Sequence, residues 1–362
     1  MIEKEKVIFV YLGKSIPRYA NASLQLAAQT SGLDVVLVGN EILGNQITSK
    51  NVTFVKVEDF YSPKEFQEVK NFVKYPHDFR DNFWLKTLER FFVLEQLMSH
   101  LNYEHFFHAE LDQLLFNCNV LIEKLEYSGL SGLFVPFHND VKAVASILYC
   151  NNKLALSSLI NFAKSGISFE NEMELVALWT HQEPELAHAL PTLATELKNE
   201  CFSKQFPNKV LRAVQIGGIA DAAQLGQWVA GIDPKNIPIS KAPLTRYFEV
   251  DSPFLLTKTN LESLAFELDS DGNFLVSSKK YNFSYQLYNL HIHSKIHKWF
   301  LRFNSPKKRI LFLSNNSKSY LVLDSKYDQI KYFFDGVINS FKRNPKDFIF
   351  RLFKLIFSKK AK

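Results

Sequence analysis

Cysteine is scarce in this sequence of 362 residues, which contains only Cys118, Cys150 and Cys201. The three cysteines are widely spaced, form no C-x-x-C pair and cannot all pair with one another. This usage fits a reducing compartment, in which most thiols pack as small apolar groups.

Long apolar runs and nucleotide-binding fingerprints are also missing. No stretch reaches the roughly 18 uncharged apolar residues that span a bilayer. The first six residues are mixed in charge and lack the apolar region of a signal peptide. We therefore expect a cytoplasmic location without a membrane-spanning helix. Neither G-x-G-x-x-G nor G-x-x-x-x-G-K-[ST] occurs, which excludes a dinucleotide fingerprint and a P-loop.

Apolar residues are plentiful, at 46% of the chain, and allow a sizeable core. Residues 7–13 and 35–39 predict buried strands, and residues 20–30 between them predict a helix that ends at a glycine. A strand, a helix and a second strand with short connections predict a parallel sheet, so we expect an α/β fold. Ligands of such sheets bind beyond the carboxyl ends of the strands, here at Leu12 and Gly13.

A stretch with two acids, residues 106–116, follows a predicted helix at residues 82–101. In extended backbone, Glu110 and Asp112 would project to the same face while Leu111 packs on the other. Two carboxylates on one face repel each other unless a cation lies between them, and oxygen ligands of this kind suit Mg²⁺ or Mn²⁺. The alternative is a strand that ends in a solvated acidic turn.

Further charged residues lie on predicted helices. In the helix at residues 82–101, for which Asn82 is the expected cap, Lys86 and Arg90 lie four residues apart on one face. They form either a solvated surface or a phosphate site. Glu172 opens a later helix, where acids ordinarily serve the helix dipole and the cap.

A late cluster contains His291, His293 and Lys295. In extended backbone the two histidines share a face. Neutral imidazole can complete an oxygen-rich site for a divalent cation, and an adjacent lysine suits a phosphate. Metal ligands, a lysine for phosphate and a parallel sheet without a P-loop together predict a nucleoside diphosphate as leaving group.

The positive charge is concentrated at the C-terminal end. From Lys342 onward there are eight Lys or Arg against one acid, Asp347, in a chain of net charge +6. Residues 348–357 predict a basic amphipathic helix, which is typical of segments that lie on anionic membranes. The alternative is a terminal helix docked on the body of the protein.

Taken in order, these segments resemble the GT-A glycosyltransferases, metal-dependent enzymes that transfer a sugar from a nucleotide-sugar donor. H-A-E-L-D at residues 108–112 is similar to the family's DXD motif, and N-E-M at residues 171–173 to a helix start whose acid faces the acceptor. N-L-H-I-H-S-K at residues 289–295 is similar to the late His of the metal shell, followed by a Lys for the diphosphate. That segment and residues 221–236 also resemble parts of bacterial surface-polysaccharide transferases.

The resemblance implies a GT-A-like, Rossmann-type, mostly parallel sheet flanked by helices over residues 1–300. Its nucleotide-binding half would cover about residues 1–117 and its acceptor half about residues 118–300. Residues 301–362 would form a small basic, helical extension on the anionic inner face of the cytoplasmic membrane. The resemblance further implies Mn²⁺ or Mg²⁺, a nucleotide-diphosphate sugar as donor, and a glycan or lipid-linked acceptor, as in bacterial surface-polysaccharide assembly.

For the site, the resemblance implies that Asp112 binds the metal with Glu110 and one of the two late histidines. We favour His293 over His291 because it is nearer to Lys295. The family usually has Asp where this chain has Glu110, so Glu110 is expected to contact the metal, the ribose or a water. The residues expected to contact the donor are Leu12, Gly13, Lys86, Arg90, Glu110 and Lys295.

The catalytic base depends on the stereochemistry of the reaction. An inverting transferase needs an acid that takes the proton of the acceptor hydroxyl. Glu172 is the leading candidate, and Asp221 and Asp233 are alternatives that are equally well explained as turn or cap residues. A retaining transferase needs no such base, and the sequence does not decide between the two.

Two other functions compete with a transferase. A sugar nucleotidyltransferase shares the sheet and the metal, but it usually has a glycine-rich basic loop after the first strand, and residues 13–18 are poor in glycine. A non-catalytic basic protein would bind nucleic acid or membrane through its tail. The body of the chain lacks a basic stripe interleaved with aromatics, so we expect no nucleic-acid partner.

Overall fold

The structure, a computed structural model, describes residues 5–75, 81–197, 211–230, 263–268, 273–293, 295, 300 and 301. Its helices are α1 (Ala20–Thr30), α2 (Glu41–Gly44), α3 (Lys64–Val69), α4 (Phe83–Leu101), α5 (Cys118–Tyr127), α6 (Lys153–Lys164), α7 (Glu172–Gln182), α8 (Leu193–Glu196), α9 (Ala213–Ile216) and α10 (Gln224–Ala230). None of these helices combines the length and the apolar character that crossing a membrane requires.

The strands alternate with these helices along the chain. They are β1 (Lys6–Tyr11), β2 (Asp34–Gly39), β3 (Val52–Lys56), β4 (Phe106–Ala109), β5 (Gln113–Leu115), β6 (Leu133–Asn139), β7 (Lys142–Ala143), β8 (Ile147–Cys150), β9 (Ala187–Leu190), β10 (Gly218–Ile219), β11 (Ala265–Leu268), β12 (Phe274–Ser278), β13 (Phe283–Leu287) and β14 (Asn289–His291).

The central sheet has eight strands, in the order β3-β2-β1-β4-β8-β6-β7, with β9 beside β6. Strands β3, β2, β1 and β4 are parallel neighbours, as the strand–helix–strand pattern predicts. β8 is antiparallel to β4 and to β6, and β9 is parallel to β6. The predicted α/β class with a mostly parallel sheet is therefore confirmed, and the antiparallel strand β8 joins its two parallel parts.

Helices cover both faces of this sheet because its strands are apolar on both faces. In β1, Val7 and Phe9 point into a core shared with α1 and α5, whereas Ile8 points into a second core shared with α4, α6 and α7. The second core contains the fully buried Phe91 and Trp179. Since β1 and β4 are parallel neighbours between these layers, their carboxyl ends lie side by side, next to the start of α4.

The predicted helix boundaries agree with the structure, but one predicted cap does not. α1 covers the predicted residues, and Gly32 follows it in the left-handed conformation (φ +76°) that ends many helices. Asn82 precedes α4 with a left-handed φ of +61°, and its side chain makes no capping hydrogen bond to the described N–H groups of α4. Capping needs extended backbone at this position, so the predicted Asn82 cap is wrong.

The stretch with the two acids is not one strand. β4 ends at Ala109, and the C=O of Glu110 accepts a hydrogen bond from the N–H of Gln113 at 3.1 Å. β5 then leaves the central sheet and pairs antiparallel with β14, so that Gln113 lies opposite His291. A second sheet, in the order β10-β13-β12-β11, lies close in sequence to β14. Glu110 and Asp112 therefore lie in a turn between strands of two different sheets.

Some sequence predictions lie outside the described residues. These are Cys201, Asp233 and residues 302–362, including the predicted amphipathic helix at residues 348–357. The boundaries predicted near residues 117 and 300 also remain predictions.

Candidate active site

A cleft of about 310 Å³ lies beyond the carboxyl ends of β1 and β4. Its walls come from the end of β1 and the loop after it, the start of α4, the turn at residues 110–112, and Lys295. Asp112 lines this cleft. So does every residue that the sequence predicts to contact the donor, namely Leu12, Gly13, Lys86, Arg90, Glu110 and Lys295.

Asp112 is buried, with 6% of its side chain exposed. Its Oδ2 lies 3.3 Å from His291 Nε2 and 3.3 Å from Lys295 Nζ. Burial opposes ionisation, but the charges of His291 and Lys295 and the hydrogen bond from His291 outweigh it and hold the pKa of Asp112 far below its usual range. The other oxygen, Oδ1, has no hydrogen-bond partner among the described residues. Asp112 thus offers an ionised oxygen that no described residue hydrogen-bonds.

Glu110, Asp112 and His291 form what we call the cation cluster. One possible ligand atom from each lies within 4.8 Å of the other two. Carboxylate oxygens with one imidazole nitrogen suit Mn²⁺ and, with fewer protein ligands, Mg²⁺. Asp112 Oδ1 and His291 Nδ1 both lack a partner in the described part of the chain. The residues present therefore fit the predicted divalent cation.

The preference for His293 over His291 does not agree with this geometry. The imidazole of His291 contacts Asp112, whereas the ring of His293 packs on that of His291, with centroids 5.6 Å apart. β14 ends at His291, and the N–H of His293 donates to the C=O of His291 at 2.8 Å, as in a γ-turn. This turn removes the extended backbone on which the two histidines would share a face. His291 is therefore the better placed ligand.

Arg90 lies next to Glu110 of the cation cluster, with 4% of its side chain exposed. Its Nη1 donates to Glu110 Oε1, and its Nη2 lies 3.8 Å from Glu172 Oε1. This guanidinium is therefore committed to two acids, which disagrees with the prediction that Arg90 binds a phosphate directly. Lys86, the other predicted phosphate ligand, pairs with Asp81 at 2.7 Å and is more exposed, so it is the more accessible cation of α4.

Glu172, the predicted base, is the first residue of α7 and lies against Arg90. Only 5% of its side chain is exposed, and it is not one of the described residues that line the cleft. Burial, opposed by Arg90 and reinforced by Glu110, raises the pKa of Glu172 to about 7. A general base must reach the proton that it takes. Glu172 lies against Arg90 and outside the described lining of the cleft, so the geometry does not support the predicted role as base.

Asp221, the alternative base, also lies outside the cleft, and it is 1% exposed. Its Oδ1 accepts from the N–H of Leu225 at 2.9 Å. Its Oδ2 accepts from the N–H groups of Gly226 at 2.8 Å and His291 at 3.0 Å. Burial raises the pKa of Asp221, although these three N–H groups favour its charged form. Both oxygens bond the backbone, so the geometry does not support the predicted role as base.

The sequence reasoning missed Tyr11 and Phe83 as cleft residues. The Tyr11 hydroxyl donates to the C=O of Ser15 at 3.0 Å and folds over Gly13, where a Cβ would lie 2.4 Å from the hydroxyl oxygen. Gly13 thus permits close packing of the loop after β1. Lys295 Nζ lies 5.4 Å from the ring centroid of Phe83. For Tyr11 the available signal was its place directly before Leu12 and Gly13, which the sheet rule puts at the ligand edge. For Phe83 it was its place three residues before Lys86 on one face of the same helix.

No protein-family model matches the sequence, and no curated protein sequence matches it significantly. Similar solved structures include mouse xyloside xylosyltransferase 1, 12% identical, covering 51% of this chain and 84% of that chain with a TM-score of 0.39. The galactosyltransferase LgtC, in complex with donor and acceptor sugar analogs, is 12% identical and covers 48% and 70% with a TM-score of 0.32. A cytidylyltransferase from Leptospira borgpetersenii is 11% identical and covers 52% and 76% with a TM-score of 0.33. The sheet order confirms the predicted α/β fold with a mostly parallel sheet, and similarity at these TM-scores adds no argument about the family or the reaction.

Proposed function

We propose that the protein is a metal-dependent glycosyltransferase that moves a sugar from a nucleotide-diphosphate sugar to a glycan or lipid-linked acceptor. The observation that carries the proposal is Asp112, a buried ionised carboxylate with one unpartnered oxygen among the described residues, beside His291 and Lys295. It lies beyond the carboxyl end of β4, the edge at which parallel α/β sheets bind ligands. The order of motifs that resembles the GT-A family supports the same conclusion.

The charges of the cleft suit a ligand that carries a diphosphate. A divalent cation held by the cation cluster would stabilise the negative charge that develops on a departing diphosphate. Lys295, 3.3 Å from Asp112, adds positive charge on one side, and Lys86 adds it at the start of α4. Arg90 fixes the carboxylate of Glu110 at the edge of the cluster. In this mechanism Glu172 and Asp221 support the site, and neither acts as a base.

A thermal-shift experiment on the full chain tests the proposal. We expect nucleotide sugars and nucleoside diphosphates to raise Tm, and to do so only when Mn²⁺ is also present. A ligand that binds only the folded state raises the free energy of unfolding by about 2.7 kcal/mol when its concentration is about 100 times Kd. A shift with a nucleoside triphosphate and a sugar 1-phosphate, but not with any nucleotide sugar, would favour a nucleotidyltransferase. No shift with any nucleotide would overturn the proposal.

We also propose that residues 301–362 hold the enzyme on the anionic cytoplasmic face of a membrane, where the lipid-linked acceptor of bacterial surface-polysaccharide assembly would be available. The charge of the segment from Lys342 onward, with eight basic residues and one acid, supports membrane binding. Binding to vesicles that contain phosphatidylglycerol should weaken with salt and disappear when residues 340–362 are removed. Equal binding to RNA would instead indicate a general polyanion-binding tail.

A further inference from the structure

One buried carboxylate outside the cleft joins two separate elements of the fold. The three N–H groups that donate to Asp221 come from Leu225 and Gly226 in the first turn of α10 and from His291 at the end of β14. Asp221 is therefore the shared hydrogen-bond acceptor of α10 and of the strand that carries the imidazole of the cation cluster.

A second buried side chain extends this connection to the other strand of the site. Asn289 Oδ1 accepts from the N–H of Asp221 at 2.8 Å, and its Nδ2 donates to the C=O of Asp221 at 3.1 Å and to Gln113 Oε1 at 2.8 Å. Gln113 follows Asp112 directly and lies opposite His291 in the β5–β14 pair. A continuous buried chain of hydrogen bonds thus runs from α10 to the turn that carries Asp112.

These bonds fix the backbone of His291 from two sides. On one side, the C=O of Asp112 accepts from the N–H of Ile292 at 2.8 Å. On the other side, Asp221 accepts from the N–H of His291 at 3.0 Å. Asp221 bonds the backbone of His291 and leaves its imidazole in contact with Asp112. It can therefore place the imidazole without competing for a cation.

The backbones of α10 and β14 approach each other closely at Gly226. A Cβ at Gly226 would lie 1.8 Å from the C=O oxygen of His291 and 3.0 Å from Asp221 Oδ2. The helix backbone therefore contacts the His291 backbone directly, and the Asp221 carboxylate fills the corner between them. The carboxylate thus contacts the backbones of both α10 and His291.

We propose that Asp221 is a positioning residue for the cation cluster, which fixes the backbone of His291 against α10 so that the imidazole stays beside Asp112. The inference rests on the proposed function, because it concerns the cation of that reaction. Replacing a residue that orients a metal ligand typically weakens metal binding by about 10- to 100-fold. Asp221 should therefore affect metal affinity although it contacts no metal itself.

The test uses the full chain and Mn²⁺ alone as the probe. Asp221→Asn keeps the shape of the side chain and loses at least one acceptor, and Asp221→Ser keeps a group that can cap a helix but lacks the second oxygen. The matched control is Asn152→Ala, because Asn152 caps α6 by accepting from the N–H of Leu154 at 2.9 Å. The two readouts are the Kd for Mn²⁺ from isothermal titration calorimetry and the hydrogen–deuterium exchange rate of the His291 N–H.

Both Asp221 variants are expected to weaken Mn²⁺ binding by about 10- to 100-fold, Ser more than Asn, and to speed exchange at His291. The Asn152→Ala control should lower Tm and leave both readouts unchanged. If the Ser variant does not fold, the Asn variant carries the test.

Faster exchange at His291 with unchanged Mn²⁺ affinity would overturn the positioning role, and so would an equal loss of affinity in Asn152→Ala, which would indicate general destabilisation. Failure of the proposed function is distinguishable from both outcomes. If the unaltered protein binds Mn²⁺ but no nucleotide sugar raises its Tm, the proposed function fails while the positioning role still stands or falls by the two readouts. If the unaltered protein binds no Mn²⁺, the cation cluster is wrong and the positioning role is overturned with it.

Discussion

Asp112 and Glu172 are buried to the same extent, with 6% and 5% of their side chains exposed, yet their pKa values move in opposite directions. Asp112, unlike Glu172, lies beside two cationic groups, His291 and Lys295. Their charges outweigh the effect of burial and lower the pKa of Asp112. Glu172 shares the single guanidinium of Arg90 with Glu110, so burial dominates and raises its pKa to about 7. The number of cations for each carboxylate, more than burial, decides which acid is ionised and available to a metal.

Removing the shared guanidinium should have the largest effect on this contrast. Arg90→Ala leaves two acids without their cation, and breaking a buried ion pair in this way costs about 3–5 kcal/mol. We expect that loss in the free energy of unfolding measured by urea denaturation. The double variant Arg90→Ala/Glu172→Gln should recover part of it, because one buried acid is then neutral. A loss below about 1 kcal/mol, typical of exposed pairs, would show that Arg90 does not support the two acids.

Replacing the ionised acid should have the next largest effect. Asp112→Asn removes a charged ligand from the cation cluster, and we expect sugar transfer to fall by about 100- to 1000-fold, as when one group that stabilises transition-state charge is lost. Mn²⁺ binding measured by calorimetry should fall in parallel. The control is Asp34→Asn, an exposed acid at the start of β2. Full Mn²⁺-dependent transfer by Asp112→Asn would contradict the metal assignment.

The raised pKa of Glu172 predicts a dependence of stability on pH. Between pH 4.5, the usual pKa of a glutamate, and about pH 7, the folded protein keeps the Glu172 proton that the unfolded chain releases. The contribution of Glu172 to the free energy of unfolding therefore falls as pH rises through this range. The free energy of unfolding of the wild type, minus that of Glu172→Gln, should therefore be larger at low pH than at pH 8. The change should not exceed about 3 kcal/mol. A difference independent of pH would mean that folding does not shift the pKa of Glu172, and a difference that grows with pH would mean that its pKa is lowered like that of Asp112.

The smallest effect is expected at Lys295. Lys295→Gln removes one of the two cations beside Asp112, and it should raise the Kd for a nucleoside diphosphate with Mn²⁺ by about tenfold, the size of one charged hydrogen bond. Lys153→Gln, an exposed lysine at the start of α6, is the matched control. The same change in both variants would assign the effect to the overall charge of the protein instead of to Lys295.

The first βαβ unit could be predicted from the sequence because its signals are local. The apolar runs of β1 and β2 and the glycine after α1 lie within a few tens of residues. The turn at Glu110 and Asp112 could not be predicted in the same way. It depends on β5 leaving the central sheet to pair with β14, and their linked residues Gln113 and Asn289 are 176 positions apart.

The candidate site was predictable in its residue types but not in all of its roles. Glu110, Asp112 and His291 follow from ligand chemistry and from the order of motifs. The preference for His293 over His291 assumed extended backbone, but a turn follows β14 at these residues. The apolar periodicity of the sequence does not indicate that turn. The sequence left Asp221 as a possible base because it does not show the hydrogen bond that Asp221 accepts from the N–H of His291. The two residues lie 70 positions apart, and only the folded chain brings them together.

The contact between α10 and the backbone of His291 also limits how this sequence can vary. At Gly226, the C=O of His291 occupies the volume that any side chain would need. The position is closed to substitution even though it lies outside the cleft. In a library in which every position is replaced in turn and selected for activity, we expect variants at Gly226 to be depleted as strongly as variants at Asp112. Selection would then act on a residue without a side chain as strongly as on the ionised acid of the cation cluster.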